Sequence, residues 1–124
     1  MVDKYIKEIK SKMKAVGTYN ISFSYTIEVL AKVLVNYQTT VETFEKTGGN
    51  VVIKHTNKNG STNIVKNPLY LAIEKLRDDI LSYSRELGLT PAGLKRINEK
   101  GMKPEKKSKF EEFLSAKTEA RKGS

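Results

Sequence analysis

The sequence predicts a mainly α-helical protein: an antiparallel helical hairpin, or stalk, with a small β-hairpin between its two long helices, built to assemble with further copies of itself. Three observations carry this. Two long stretches place apolar residues at alternating spacings of four and three. A short β-branched stretch with a central Asn-Gly lies between them. The first of the two apolar surfaces is wider than one partner helix covers.

The opening segment is read as a basic amphipathic helix over residues 1–19. Val2, Ile6, Ile9, Met13 and Val16 fall on one face, Lys4, Lys7 and Lys14 on the other, and Gly17 closes it. The lysine side serves either as a solvated surface or as a stripe facing DNA. In the most regular segment, Phe23, Ile27, Leu30, Leu34, Tyr37, Val41 and Phe44 run four, three, four, three, four, three. This is a heptad-like stripe, the pattern of a helix that pairs along its length. Ala31, Val29 and Val33 widen it, so neighbours on two sides are expected and the stripe is assigned to oligomerisation. "KTGG" provides the glycine stop.

Residues 50–66 change character. Val51-Val52-Ile53 and Ile64-Val65 flank Asn59-Gly60, a dipeptide suited to positive φ, and read as a hairpin. Lys54, His55, Lys58 and Lys66 accompany it without a single acid, which makes the hairpin a secondary place for phosphate contact. Pro68 then fits the first turn of a helix, and Leu69, Ile73, Leu76, Ile80, Tyr83 and Leu87 repeat the four–three pattern. Two matching stripes joined by a hairpin should pair antiparallel, with the hairpin at the tip.

"RELGLTPAGLKRI", residues 85–97, bends the chain. Gly88 suits the left-handed conformation that ends a helix. Thr90 suits the cap of the helix that Pro91 begins. One reading is a helix-turn-helix with Lys95 and Arg96 exposed to DNA. The other, favoured because the last helix is short and poor in base-reading side chains, is a structural corner that launches the tail. The core therefore runs over 20–98, and 99–124 reads as a flexible basic tail. That tail carries Lys100, Lys103, Lys106, Lys107 and Lys109, then a short amphipathic helix with Phe110, Phe113 and Leu114 on one face.

Charge is uneven along the 124 residues. The formal net charge is +9, from 23 Lys and Arg against 14 Asp and Glu. Residues 1–20 contribute +3, residues 21–94 +1 and residues 95–124 +5, so the excess sits at the two ends. Such ends favour a polyanion, of which nucleic acid is the commonest. The ten-residue start "MVDKYIKEIK" has no apolar run of a secretory signal, and the apolar stretch around Ile21–Phe44 is broken by Glu28, Lys32 and Glu42. The expectation is a chain without a membrane, in the cytoplasm.

No catalytic constellation is found. The sequence has no cysteine and one histidine, His55, so thiolate and paired-histidine metal sites are excluded. Gly48-Gly49 lacks the lysine and serine of a phosphate-binding loop. Asp78 and Asp79 are helix neighbours pointing about 100° apart. No cofactor, no metal and no enzymatic activity are expected.

The order "FEKTGG", hairpin, Asn67-Pro68, then "LGLTPAGLKRI" resembles the small terminase subunits of tailed double-stranded-DNA phages over roughly residues 20–97. The resemblance implies a non-catalytic protein that forms a ring of identical subunits. It also implies recognition of viral DNA at the packaging site and regulation of the large terminase subunit, which holds the ATPase and nuclease. Asn67, Pro68, Gly88, Leu89, Thr90 and Pro91 match as structural positions. The chain departs from many such proteins in having a single short helix before Gly17 in place of an N-terminal helix-turn-helix. On this basis double-stranded DNA, the large subunit and other copies of the chain are the expected partners, in the cytoplasm of an infected bacterium. The DNA contacts are assigned to Lys4, Lys7, Lys14, Lys95, Arg96, Lys100 and the tail lysines, and large-subunit docking to Phe110, Phe113 and Leu114. The alternative is a small helix-turn-helix transcription regulator.

Overall fold

A computed structural model describes residues 1–100, and residues 101–124 lie outside the described part. In order, the elements are α1 (Val2–Val16), a 3₁₀ turn (Ile21–Phe23), α2 (Ser24–Lys46), β1 (Val52–Thr56), β2 (Thr62–Lys66), α3 (Pro68–Glu86) and α4 (Pro91–Glu99). The two long helices α2 and α3 pack antiparallel, with the two-stranded sheet at their shared tip, as the stripes require.

Each boundary has a local cause. Asn20 accepts the Ser22 amide at 2.7 Å and starts the 3₁₀ turn, so Phe23 sits just ahead of α2 and not within it. At the tip, β1 and β2 pair antiparallel with Val52 opposite Lys66 and Ile53 opposite Val65. Asn57 and Ser61 close a loop whose Gly60 has φ 86°, the bulged hairpin connection that a glycine permits. Asn67 joins tip to stalk. Its side chain accepts from the Leu69 amide at 3.0 Å, capping α3, and donates to the Asn50 carbonyl at 2.9 Å.

The core lies at the base, where three helices meet. Ile9 and Met13 of α1, Ile27, Leu30 and Ala31 of α2, and Leu87 form one buried cluster, with Tyr5, Ile6, Phe23, Leu34, Ile80 and Tyr83 packed against it. The two-sided apolar surface of α2 is thus met within one chain, by α1 on one side and α3 on the other. Val16, placed on the apolar face of the first helix by its spacing, is exposed, because α1 ends there and the chain turns away at Gly17.

The corner between α3 and α4 is tightly built. Leu89 donates to the Ser84 carbonyl at 2.9 Å and Gly88 to that of Arg85 at 3.1 Å, the paired bonds of a left-handed helix end. Gly88 has φ 72°, and a Cβ there would meet Thr18 Cγ2 and Ile97 Cδ1, each at 2.8 Å. Thr90 then caps α4 through the Gly93 amide at 3.1 Å. At Gly93 the two helices approach so closely that a Cβ would stand 2.1 Å from the Arg85 carbonyl oxygen. A glycine inside a helix ordinarily costs up to about 1 kcal/mol relative to alanine, and here it is what lets α4 cross α3.

Gly93→Ala tests that crossing. Despite the better helix propensity of alanine, the variant is expected to lose about 1–3 kcal/mol by overpacking, read by urea unfolding. Unchanged or raised stability would show that α4 is not seated on α3 at Gly93.

Candidate nucleic-acid interface

Cationic side chains form two groups at the base, and they differ in how they are occupied. On α1, Lys4, Lys7 and Lys14 lie with Ser11 on one line at spacings of three and four, all exposed. None of the three lysines forms a salt bridge among the described residues. Lys14 instead lies 5.0 Å from the centre of the Tyr19 ring, a cation–π contact that leaves its charge uncompensated. Burial of Ile9 and Met13 on the opposite side fixes which way this line points.

The cations of α4 are already paired. Arg96 bridges Glu86 at 3.0 Å, and Lys95 reaches Glu99 at 3.8 Å. The exposed surface of α4 is otherwise Pro91, Ala92, Asn98 and Lys100, which offers few groups able to read base edges. Arg96 thus holds α4 against the last turn of α3, a corner role. Lys100 caps the end of α4 and is exposed. Lys103, Lys106, Lys107, Lys109, Phe110, Phe113 and Leu114 lie outside the described residues.

The residues assigned to oligomerisation line the interior of the stalk. Ile27 and Leu30 are fully buried, and Phe23 and Leu34 pack on them. Tyr37 and Val41 are half-buried between exposed turns of α2. Phe44 contacts Tyr70 of α3, ring centres 5.7 Å apart. These side chains support the hairpin of helices in their own chain.

Sequence reasoning missed a polar seam along the stalk. Arg77 donates from Nε to the Tyr37 hydroxyl at 3.3 Å, and this bond, with a smaller contribution from Tyr70, holds the guanidinium above its ordinary value. Lys66 reaches from the hairpin to Glu74 and lies 5.4 Å from the Tyr70 ring centre. Lys75 bonds Asp79 at 2.9 Å, and that hydrogen bond raises the ammonium above the usual lysine value. Asp79 is therefore a partner to Lys75. The available signal was the four-residue spacing of Lys75 and Asp79. The Arg77–Tyr37 pairing spans 40 positions and left no local trace.

A helical stalk with a β tip and a capped corner thus carries an exposed line of lysines, Lys4, Lys7 and Lys14, on α1 at its base. Residues 4–104 match the family described as "Phage terminase, small subunit", and the chain belongs to that family. Its role accordingly falls in phage DNA packaging, within a family that is generally non-catalytic. No curated protein and no solved structure gives a match to the chain. Among the described residues no helix is long and apolar enough to cross a membrane.

Both ends of the Arg96–Glu86 bridge face solvent, so Arg96→Gln is expected to change stability by no more than about 1 kcal/mol, measured by urea unfolding. A loss of several kcal/mol would make the bridge the main fastening of the corner.

Proposed function

We propose that the chain is a non-catalytic small terminase subunit that assembles into a ring, binds viral double-stranded DNA at the packaging site, and regulates the large terminase ATPase and nuclease in the cytoplasm of the infected bacterium. Membership of the family supports the packaging role. The observation that carries the DNA-binding reading is the contrast in charge pairing. Lys4, Lys7 and Lys14 are uncompensated on one exposed line, whereas the α4 cations that a helix-turn-helix would present are bridged to Glu86 and Glu99. In this reading the helix over 1–19 and the segment 99–124 are cationic arms on a structural body over 20–98. Lys100, Lys103, Lys106, Lys107 and Lys109 supply further phosphate contacts, and Phe110, Phe113 and Leu114 dock the large subunit. Binding is then mainly electrostatic, because released counterions drive it and salt opposes it.

Neutralising Lys4, Lys7 and Lys14 together to glutamine should weaken duplex binding and flatten its logarithmic salt dependence by about 2–3, close to 0.9 for each phosphate that is no longer neutralised. Fluorescence anisotropy across a salt series measures it. Lys95→Gln should alter the slope by less. The reverse order would restore α4 as a recognition helix and favour a helix-turn-helix regulator. Removing residues 100–124 should also weaken binding, and unchanged affinity would move the interface to α1 or the hairpin.

Native mass measurement of the full chain tests the assembly separately. A multimer of defined size is expected, and a monomer at micromolar concentration would overturn the ring.

A further inference from the structure

Two exposed surfaces of the chain complement one another and have no occupant within it. The first is the outer face of the hairpin. Opposite residues in an antiparallel pair share a face, as do residues two apart. The register therefore puts Val52, Lys54 and Thr56 beside Lys66, Ile64 and Thr62. Val52 is 56% exposed and Ile64 73%, although both are β-branched apolar residues that ordinarily pack. Residues 50–66 contain no acid.

The second surface is a strip on α3. Leu71, Glu74, Asp78, Leu81 and Arg85 follow one another at spacings of three, four, three and four, a line turned away from the buried Ile73. Leu71 is 48% exposed and Leu81 56%. Asp78, between them, forms no salt bridge among the described residues. One surface thus offers apolar groups with lysines, and the other apolar groups with a carboxylate.

The chain makes this kind of contact once by itself. Lys66, on the outer face of the hairpin, bridges Glu74, the upper acid of the α3 strip. Asp78 and Leu81, about one and two turns further down, lie beyond the reach of their own hairpin and have no equivalent cover. Lys54, on the same hairpin face, likewise has no salt bridge among the described residues.

We infer that the outer face of the hairpin, with Val52, Lys54 and Ile64, docks on the Asp78–Leu81 part of α3 in a second copy of this chain. The contact joins two different surfaces, so it repeats from copy to copy and closes a ring if the rotation permits. It rests on the assembly reading proposed above, and it assigns the interface to outer faces, leaving the Phe23–Phe44 stripe to the fold.

The natural absence of cysteine makes the test direct. Ile64→Cys is prepared isotope-labelled and Leu81→Cys unlabelled, both as the full chain, then mixed and oxidised under mild conditions. Mass spectrometry is expected to show a disulfide-linked mixed dimer as the main product. Ser11→Cys replaces Leu81→Cys as the control and should give none. In parallel, Ile64→Asp and Leu81→Asp should each shift the native mass to the monomer while circular dichroism stays helical. A multimeric wild-type chain whose Ile64→Asp and Leu81→Asp variants remain multimeric, or whose mixture gives no mixed dimer, overturns this interface and leaves the ring intact. A monomeric wild-type chain removes the ring and the interface together. Ile64→Asp that stays multimeric but loses duplex binding overturns the interface and makes the hairpin a DNA contact.

Discussion

One buried hydrogen bond sets the relation between the two ends of the chain. The Thr18 hydroxyl donates to the Leu87 carbonyl at 3.0 Å across 69 positions, in a place sealed from water. Leu87 follows the last residue of α3, where helix carbonyls lack their usual partners. Without Thr18 that oxygen would be buried and unpaired, which costs about 1–3 kcal/mol. The bond also fixes the loop after α1 against the corner before α4. Ile97 and Gly88 close around the same threonine, so the end of α1 and the α3–α4 corner are held in one arrangement. A valine of similar shape would keep the packing and lose the donor, and the carbonyl would then have nothing to face.

The stalk is legible because periodicity reports which residues share a face. Ile27, Leu30, Ile73 and Leu87 are buried where their spacing places them, and Asn59-Gly60, Asn67-Pro68 and Gly88-Leu89-Thr90-Pro91 mark the turns through backbone preferences that act locally. Periodicity does not say which body covers a face. By spacing alone the wide surface of α2 demands neighbouring copies, but Ile9 and Met13 of α1 meet it from within. Nor can spacing reveal Gly93. Its importance comes from a carbonyl eight residues earlier on another helix, and only the crossing brings the two together.

The base is harder to read because charge in sequence is not charge in space. Arg96 and Lys95 are adjacent cations in a basic region, and by sequence alone they stand beside Lys4 and Lys7 as candidate DNA contacts. Folding sets Glu86 against Arg96 and Glu99 against Lys95, and each acid cancels part of the field that a phosphate would meet. On α1 the acids Asp3 and Glu8 form no bridge with Lys4, Lys7 or Lys14 among the described residues, so these ammonium groups have no carboxylate in direct contact. Cations of the same charge thus produce different fields according to which residues face them.

Where the apolar stripe is buried decides how assembly can proceed. If Ile27 and Leu30 were covered only by a second copy, a lone chain would expose its main core and could not fold before meeting its partner. With α1 folded over them, the single chain has a closed core, though a thin one, so the docking proposed for Ile64 and Leu81 would follow folding. Association through outer faces, as proposed, would stabilise the chain by mass action, since a partner that binds only the folded form draws the unfolded chain toward it. The fold is completed within the chain, and in the proposed assembly its neighbours would add to its margin of stability.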